Sequence, residues 1–244
     1  MATGILAMGL MLVAMAFPVG VKLVSVSTER TIGDAAIGEA VAKMRLYGIK
    51  AFGGSNWPAD PNTACTDYQA VCATTLPADE RYYPSLVPML EKDKRYCWSI
   101  LVRRTDPAGN AVQTTVLVCR MMGMGAKYYP SAGTTMVDAP VPVKVSINCA
   151  VAGKEITVQP NTQFAPTGTV YKFFTEGCTI VEDSTGQICR VRAMQDNDST
   201  FGKETLILQD TFPIVGNANV WVVPPAVGNS RNPCIRVWQS NLTF

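Results

Sequence analysis

The first 21 residues carry no charged side chain, and Lys22 is the first to appear. At ~1.5 Å per residue a helix over this run is about 30 Å long, the hydrocarbon thickness of a bilayer. The run therefore predicts a membrane-spanning helix. A cleaved secretory signal is the competing reading, because Ala14-Met15-Ala16 has the small-x-small form that signal peptidase favours. Against it, no Lys or Arg precedes the apolar run and Pro18 lies just past the supposed cut. A buried core helix is the blandest alternative, and such helices seldom run this far without a charge.

Beyond Lys22 the helical spacing persists. Val21, Val24, Thr28, Ile32, Ala36, Ala40, Met44 and Tyr47 recur at steps of three or four. Glu39 and Lys43 stand four apart in the favourable order, and Gly48 follows Tyr47 where a C-terminal cap is expected. Residues 2–47 thus read as one rod, about 70 Å long at ~1.5 Å per residue. Pro18 with Gly20 marks the expected kink, since proline removes an intrahelical bond and clashes one turn back. Gly4, Ala7, Gly9, Ala14 and Ala16 are small enough to let a second helix come close, or are ordinary lipid-facing positions.

Ala2-Thr3-Gly4-Ile5-Leu6-Ala7-Met8-Gly9-Leu10, Phe17-Pro18-Val19-Gly20 and Thr28-Glu29-Arg30-Thr31-Ile32 together resemble the N-terminal helix of bacterial type IV pilin-like proteins, above all the minor pseudopilins of type II secretion. In that family a prepilin peptidase cuts after a glycine, methylates the new N-terminal phenylalanine and leaves a helix with a glutamate a few residues in. Those three residues are not in this sequence, and by spacing Met1 falls inside the hydrophobic segment. The resemblance implies that Met1 is an internal methionine of a longer prepilin. It also implies an α+β, pilin-like fold, with a transmembrane and amphipathic helix over 1–48 and a mostly antiparallel, extracytoplasmic β-rich domain over 49–244.

From residue 49 on, runs rich in Val, Ile, Thr and aromatics alternate with Pro, Gly, Asn and Asp clusters. Residues 49–95 hold Gly53-Gly54, Pro58, Pro61, Pro77, Pro84 and Pro88, which predicts an irregular excursion with at most a short helix near 85–92. A second loop is expected over 123–142. Between them lies a hairpin. If Asp106 closes on Asn110 around Pro107-Ala108-Gly109, every facing pair sums to 216. Trp98, Ile100 and Val102 then meet Val118, Val116 and Thr114 on the face expected to be buried, while Ser99, Leu101 and Arg103 meet Leu117, Thr115 and Gln113 on the other. Later strands are expected near 143–149, 154–159, 168–174, 178–182, 187–193, 204–211, 218–223 and 234–239. The segments around Trp221 and Trp238 are expected to form the closing pair.

The eight cysteines contain no C-x-x-C, which argues against zinc and thioredoxin-like chemistry. An even count in a domain beyond a membrane suggests disulfides, with several buried free thiols as the alternative. Cys97 and Cys119 also sum to 216. Counted outward from a hydrogen-bonded Asp106/Asn110 pair, they fall in a non-hydrogen-bonded pair, where a bridge can form. Cys178 and Cys189, flanking the Asp183 to Gly186 turn, are the next choice.

Histidine is absent altogether, which removes Ser-His-Asp and Cys-His nucleophile activation and any His-containing metal site. With 21 basic and 19 acidic residues, nothing invites nucleic acid. Asp196-Asn197-Asp198-Ser199 has oxygen ligands for calcium, which some pseudopilins hold, but lacks the glycine and distal glutamate of an EF-hand and reads as a turn. Glu182-Asp183-Ser184-Thr185-Gly186 reads as a turn without a catalytic partner. Gly123-Met124-Gly125 lacks the lysine of a phosphate loop, and Lys92-Asp93-Lys94-Arg95 and Arg103-Arg104 read as solvated charge.

No catalytic, cofactor or metal residues are therefore assigned, and no small-molecule substrate is expected. The residues carrying the expectation are Gly4, Gly9, Ala16, Pro18 and Gly20, for anchoring and helix packing. The partners expected are membrane lipid and other pilin-like subunits. The location expected is the bacterial inner membrane, single-pass, with the C-terminal domain in the periplasm. The function expected is that of a structural subunit in a type II secretion or type IV pilus-like filament. The alternative is a secreted β-domain that binds a partner through its loops, and a membrane-tethered hydrolase would need an acidic pair that the sequence does not reveal.

Overall fold

A computed structural model describes residues 2–50, 64–85, 94–105, 111–123, 125–131, 135–150, 153–158, 173–198 and 203–244. One helix, α1 (Ala2–Tyr47), runs through Pro18 without a break. Gly48 ends it with φ +63°, and its N–H donates to the Met44 carbonyl at 3.0 Å. Only a residue without a Cβ enters that left-handed region freely.

The hairpin predicted from the 216 sum is present. β3 (Tyr96–Arg104) pairs with β4 (Ala111–Arg120) in that register, from Tyr96↔Arg120 to Arg104↔Val112. The turn at 106–110 and the segment 86–93, where a short helix was expected, lie outside the described residues. β1 (Thr66–Asp67) and β2 (Tyr82–Tyr83) both pair with β3, with the one-turn helix α2 (Tyr68–Val71) and a 3₁₀ turn at Ala78–Arg81 between them. On the far side of β4 lies β11 (Cys234–Thr243), completing a five-stranded sheet.

The remaining strands form a second body. β5 (Val143–Cys149), β6 (Glu155–Val158), β7 (Thr179–Glu182), β8 (Ile188–Asp198), β9 (Lys203–Leu208) and β10 (Gly216–Val222) close into an antiparallel barrel in the order β10-β5-β6-β9-β8-β7. Closure comes from β10, which pairs with β5 along one edge and β7 along the other. Register shifts at Val191/Ala193 and Asp196/Asp198 interrupt the β8–β9 ladder, and such bulges supply the bend a small barrel needs. Alternation selects the interior: Val143, Val145, Ile147 and Cys149 of β5 point inward and are fully buried with Ile156, Ile180, Leu206, Leu208 and Val220.

Several expectations are corrected. The chain is not pilin-like, because its β-rich part contains a closed six-stranded barrel. Among the described residues no helix is long and apolar enough to cross a membrane, which overturns the transmembrane helix. α1 takes up Lys22, Glu29, Arg30 and Asp34 as it leaves the uncharged run. The closing pair is wrong too: β10 belongs to the barrel and β11 to the sheet, each with other partners. The strand expected over 168–174 falls mostly outside the described residues, and 173–174 are not in a strand.

The hairpin has two buried faces instead of one. Trp98, Ile100, Val102, Val116 and Val118 pack under α1 with Ala36, Ile37, Ala40 and Met44. Leu101, Leu117, Cys97 and Cys119 face the barrel wall at Val181, Trp221 and Val223. The molecule is thus three-layered, helix on sheet on barrel, and a strand in the middle layer has no solvent face.

Candidate assembly surface

The helix divides into two parts with opposite surroundings. Its C-terminal part is seated. Ala36, Ile37, Ala40 and Met44 are buried at the i, i+1, i+4, i+8 spacing of one helical stripe. Small residues set a close approach: a Cβ added at Gly33 would lie 2.8 Å from the Arg236 Cβ on β11. Ion pairs flank the seat, Glu29 with Arg120 of β4 and Asp34 with Arg236 Nε at 2.8 Å. At its foot Lys43 lies 2.8 Å from Glu39 and donates to the Glu80 carbonyl at 2.5 Å, while the Tyr47 hydroxyl donates to Glu80 Oε1 at 2.7 Å. The buried Tyr68 hydroxyl donates to the Gly48 carbonyl at 2.8 Å, which ties the helix end to α2.

The N-terminal part is exposed among its described residues. Leu10, Met11, Met15, Phe17, Val19, Val21, Leu23 and Val24 are all exposed, Phe17 to 72%. At about 100° per residue, Met11, Leu23, Val24 and Val21 point in four separate directions around the axis. The exposed apolar surface is therefore a sleeve and not a stripe, and a helix apolar on every side belongs in an interior. Pro18 is exposed and nothing lies within 4 Å of a Cβ at Gly20. Gly4, Gly9 and Ala16 lie in the same helix, and their packing is outside the described part.

Where the two parts meet, a groove of about 460 Å³ opens between α1, β11 and the barrel, lined by Glu29, Arg30, Arg190, Asp210, Cys234 and Arg236. Its charges are mixed and partly engaged: Arg236 holds Asp34, and Arg190 Nε donates to the Gly177 carbonyl at 3.3 Å. Among the described residues no group of three or more Cys, Asp or Glu side chains is arranged to hold a metal. Asp196 and Asp198 lie in β8 and not in a turn, and Ser199 is outside the described residues.

Glu182 and Asp183, in the segment read as a turn, are both buried. Glu182 accepts hydrogen bonds from the backbone N–H and hydroxyl of both Ser184 and Thr185. Asp183 accepts from Trp221 Nε1 at 2.7 Å and from Lys144 Nζ at 2.9 Å. Glu182 is held by four donors of its own turn, and Asp183 by an indole of β10 and an ammonium of β5, so the pair works as a clip. It joins barrel to sheet, because the same turn receives Arg103 Nη1 at the Ser184 carbonyl and Gln239 Nε2 at the Gly186 carbonyl. A turn rich in Glu, Asp, Ser and Thr signals local bonding, but the strands that close over it are distant in sequence.

The cysteine candidates are also redrawn. All eight are free thiols in this structure. Cys97 does face Cys119, but in the other phase. Met121 N–H donates to the Arg95 carbonyl and Thr105 N–H to the Ala111 carbonyl, so the hydrogen-bonded pairs are 95/121, 105/111 and every second pair between. Cys97/Cys119 is one of these, with Cα atoms about 5.5 Å apart instead of the ~4.5 Å of a non-hydrogen-bonded pair. Cys178 and Cys189 are diagonal and not opposite, since Cys189 pairs with Ile180. Burial pushes the Cys178 thiol up to about 12 and that of Cys189 to about 11, which makes both inert core groups.

No protein-family model and no curated protein matches the chain.

Proposed function

We propose that the protein is a non-enzymatic filament subunit, similar in role to the minor pseudopilins of type II secretion or type IV pilus systems, with its barrel domain outside the cytoplasm. The observation that supports this is the exposed apolar surface of Leu10, Met11, Met15, Phe17, Val19, Val21, Leu23 and Val24 on a helix whose other end is bolted to its own sheet. Leaving that sleeve in water costs roughly 1.5–3 kcal/mol for each large side chain. Covering it on all sides takes several neighbours, and the helices of further subunits supply them when identical contacts repeat without closing. The test is sedimentation of the full chain without detergent. Self-association that rises with concentration and disappears in Phe17→Asp/Val24→Asp is the expected result. A chain that stays monomeric, or that floats with lipid vesicles without self-associating, would sink the proposal.

A further inference from the structure

Three cysteines stand in a row across the middle layer: Cys97 on β3, Cys119 on β4 and Cys234 at the start of β11, in the register Cys97↔Cys119↔Cys234. The N–H and carbonyl of a strand residue point to the same side, so Cys119 can be hydrogen-bonded to only one neighbouring strand. That strand is β3, as the pairs 95/121 and 105/111 establish. On the other side Arg120 N–H donates to the Pro233 carbonyl at 2.8 Å, which makes 120/233 the hydrogen-bonded pair and 119/234 the non-hydrogen-bonded one. There the side chains stand closer together than in a hydrogen-bonded pair; both that Cα separation of about 4.5 Å and the about 5.5 Å of Cys97/Cys119 are within the range of a disulfide. The ladder thus distinguishes two thiols that are both adjacent to Cys119.

We propose that Cys119 and Cys234 are a disulfide-forming pair that staples the C-terminal strand to the centre of the sheet, leaving Cys97 as a free thiol. The neighbouring Cys234 side chain, with burial, raises the Cys119 thiol above its ordinary value, and Cys234 Sγ itself donates to the Arg236 carbonyl at 3.6 Å. Access favours the same pair. Cys234 is partly exposed and lines the groove beside α1, whereas Cys97 is buried with its Sγ toward the Pro140 carbonyl at 3.9 Å. Burial pushes the Cys97 thiol up to about 12, so it is a poor nucleophile at neutral pH. The oxidant is a disulfide donor, protein or small molecule. The Cys234 thiolate attacks the donor and releases one thiolate. Cys119, losing its proton, then attacks Cys234 Sγ and displaces the second. Two thiols lose two protons and two electrons, one Sγ–Sγ bond forms, and the donor leaves as two thiols.

The bond would close a loop of more than a hundred residues and lock β11, on which Arg236 receives α1. The test is peptide mapping of the full chain, reduced and then incubated with oxidised glutathione before alkylation. The expected product is a Cys119–Cys234 linked peptide, retained in Cys97→Ser and lost in Cys234→Ser. The wild-type Tm should exceed that of Cys234→Ser by about 5–10 °C in oxidising buffer and converge with it under reductant. A Cys97–Cys119 or Cys178–Cys234 link, or full alkylation of Cys119 and Cys234 after oxidation, would overturn the proposal.

Discussion

Gly33 of α1 sits so close to Arg236 of β11 that a Cβ at position 33 would meet the Arg236 Cβ at 2.8 Å and its Cγ at 3.2 Å. These atoms are the root of the arginine side chain and cannot swing aside. The glycine therefore sets the distance between helix and sheet. Arg236 is freed to reach along the helix and pair with Asp34, one residue on. Gly33→Leu is expected to destabilise the fold by about 1–3 kcal/mol despite its better helix propensity, because relief requires a backbone shift. Urea denaturation measures this, and unchanged stability would show that the helix can tilt away freely.

The clip between barrel and sheet gives a second expectation. Asp183→Ala leaves the Trp221 N–H buried without an acceptor and removes the partner of Lys144, at a cost of about 2–4 kcal/mol. Asp183→Asn keeps an acceptor for Trp221 and should cost about half as much. Equal losses in the two variants, compared by denaturant midpoint, would mean that the indole bond contributes little.

Alkaline pH should destabilise the reduced protein. Burial pushes the Cys65, Cys97 and Cys178 thiols from an ordinary value near 9 up to about 12. Above the unfolded value the unfolded chain releases thiol protons that the folded chain retains. The unfolded state therefore binds fewer protons, and stability falls as pH rises through the window from about 9 to 12. Each thiol contributes a slope of up to ~1.4 kcal/mol per pH unit. Chemical denaturation between pH 8 and 10.5 under reductant reads the slope, and Cys97→Ala should flatten it by one thiol's share.

Opposite effects are expected at the two ends of α1. Met44 is fully buried, so Met44→Ala should cost about 2–5 kcal/mol. Val24 is exposed, so Val24→Asp should change the unfolding free energy of the monomer by less than about 0.5 kcal/mol while abolishing self-association. If Val24→Asp lowered monomer stability as far as Met44→Ala, the sleeve would be packing against its own chain.

The helix and the hairpin were legible from residue order because their determinants are local. Helical spacing from Val21 to Tyr47 and Gly48 beyond it specify where α1 ends. A hairpin's register follows from one turn, and all nine facing pairs obey it. Even so, the hydrogen-bonding phase of the ladder lies one residue from the predicted one. Alternation reports which face a side chain takes but not which neighbouring strand its backbone addresses.

What lay beyond the sequence was everything set by contacts between distant segments. That β10 closes a barrel between β5 and β7, that β11 goes to β4, and that the hairpin is buried on both faces are results of three layers packing together. The buried clip of Glu182 and Asp183 and the choice between Cys97 and Cys234 for Cys119 follow from the same packing. An amphipathic or alternating pattern declares that a face must be covered. Which surface covers it depends on long-range closure, where many pairings satisfy the same local pattern and only the packed whole separates them.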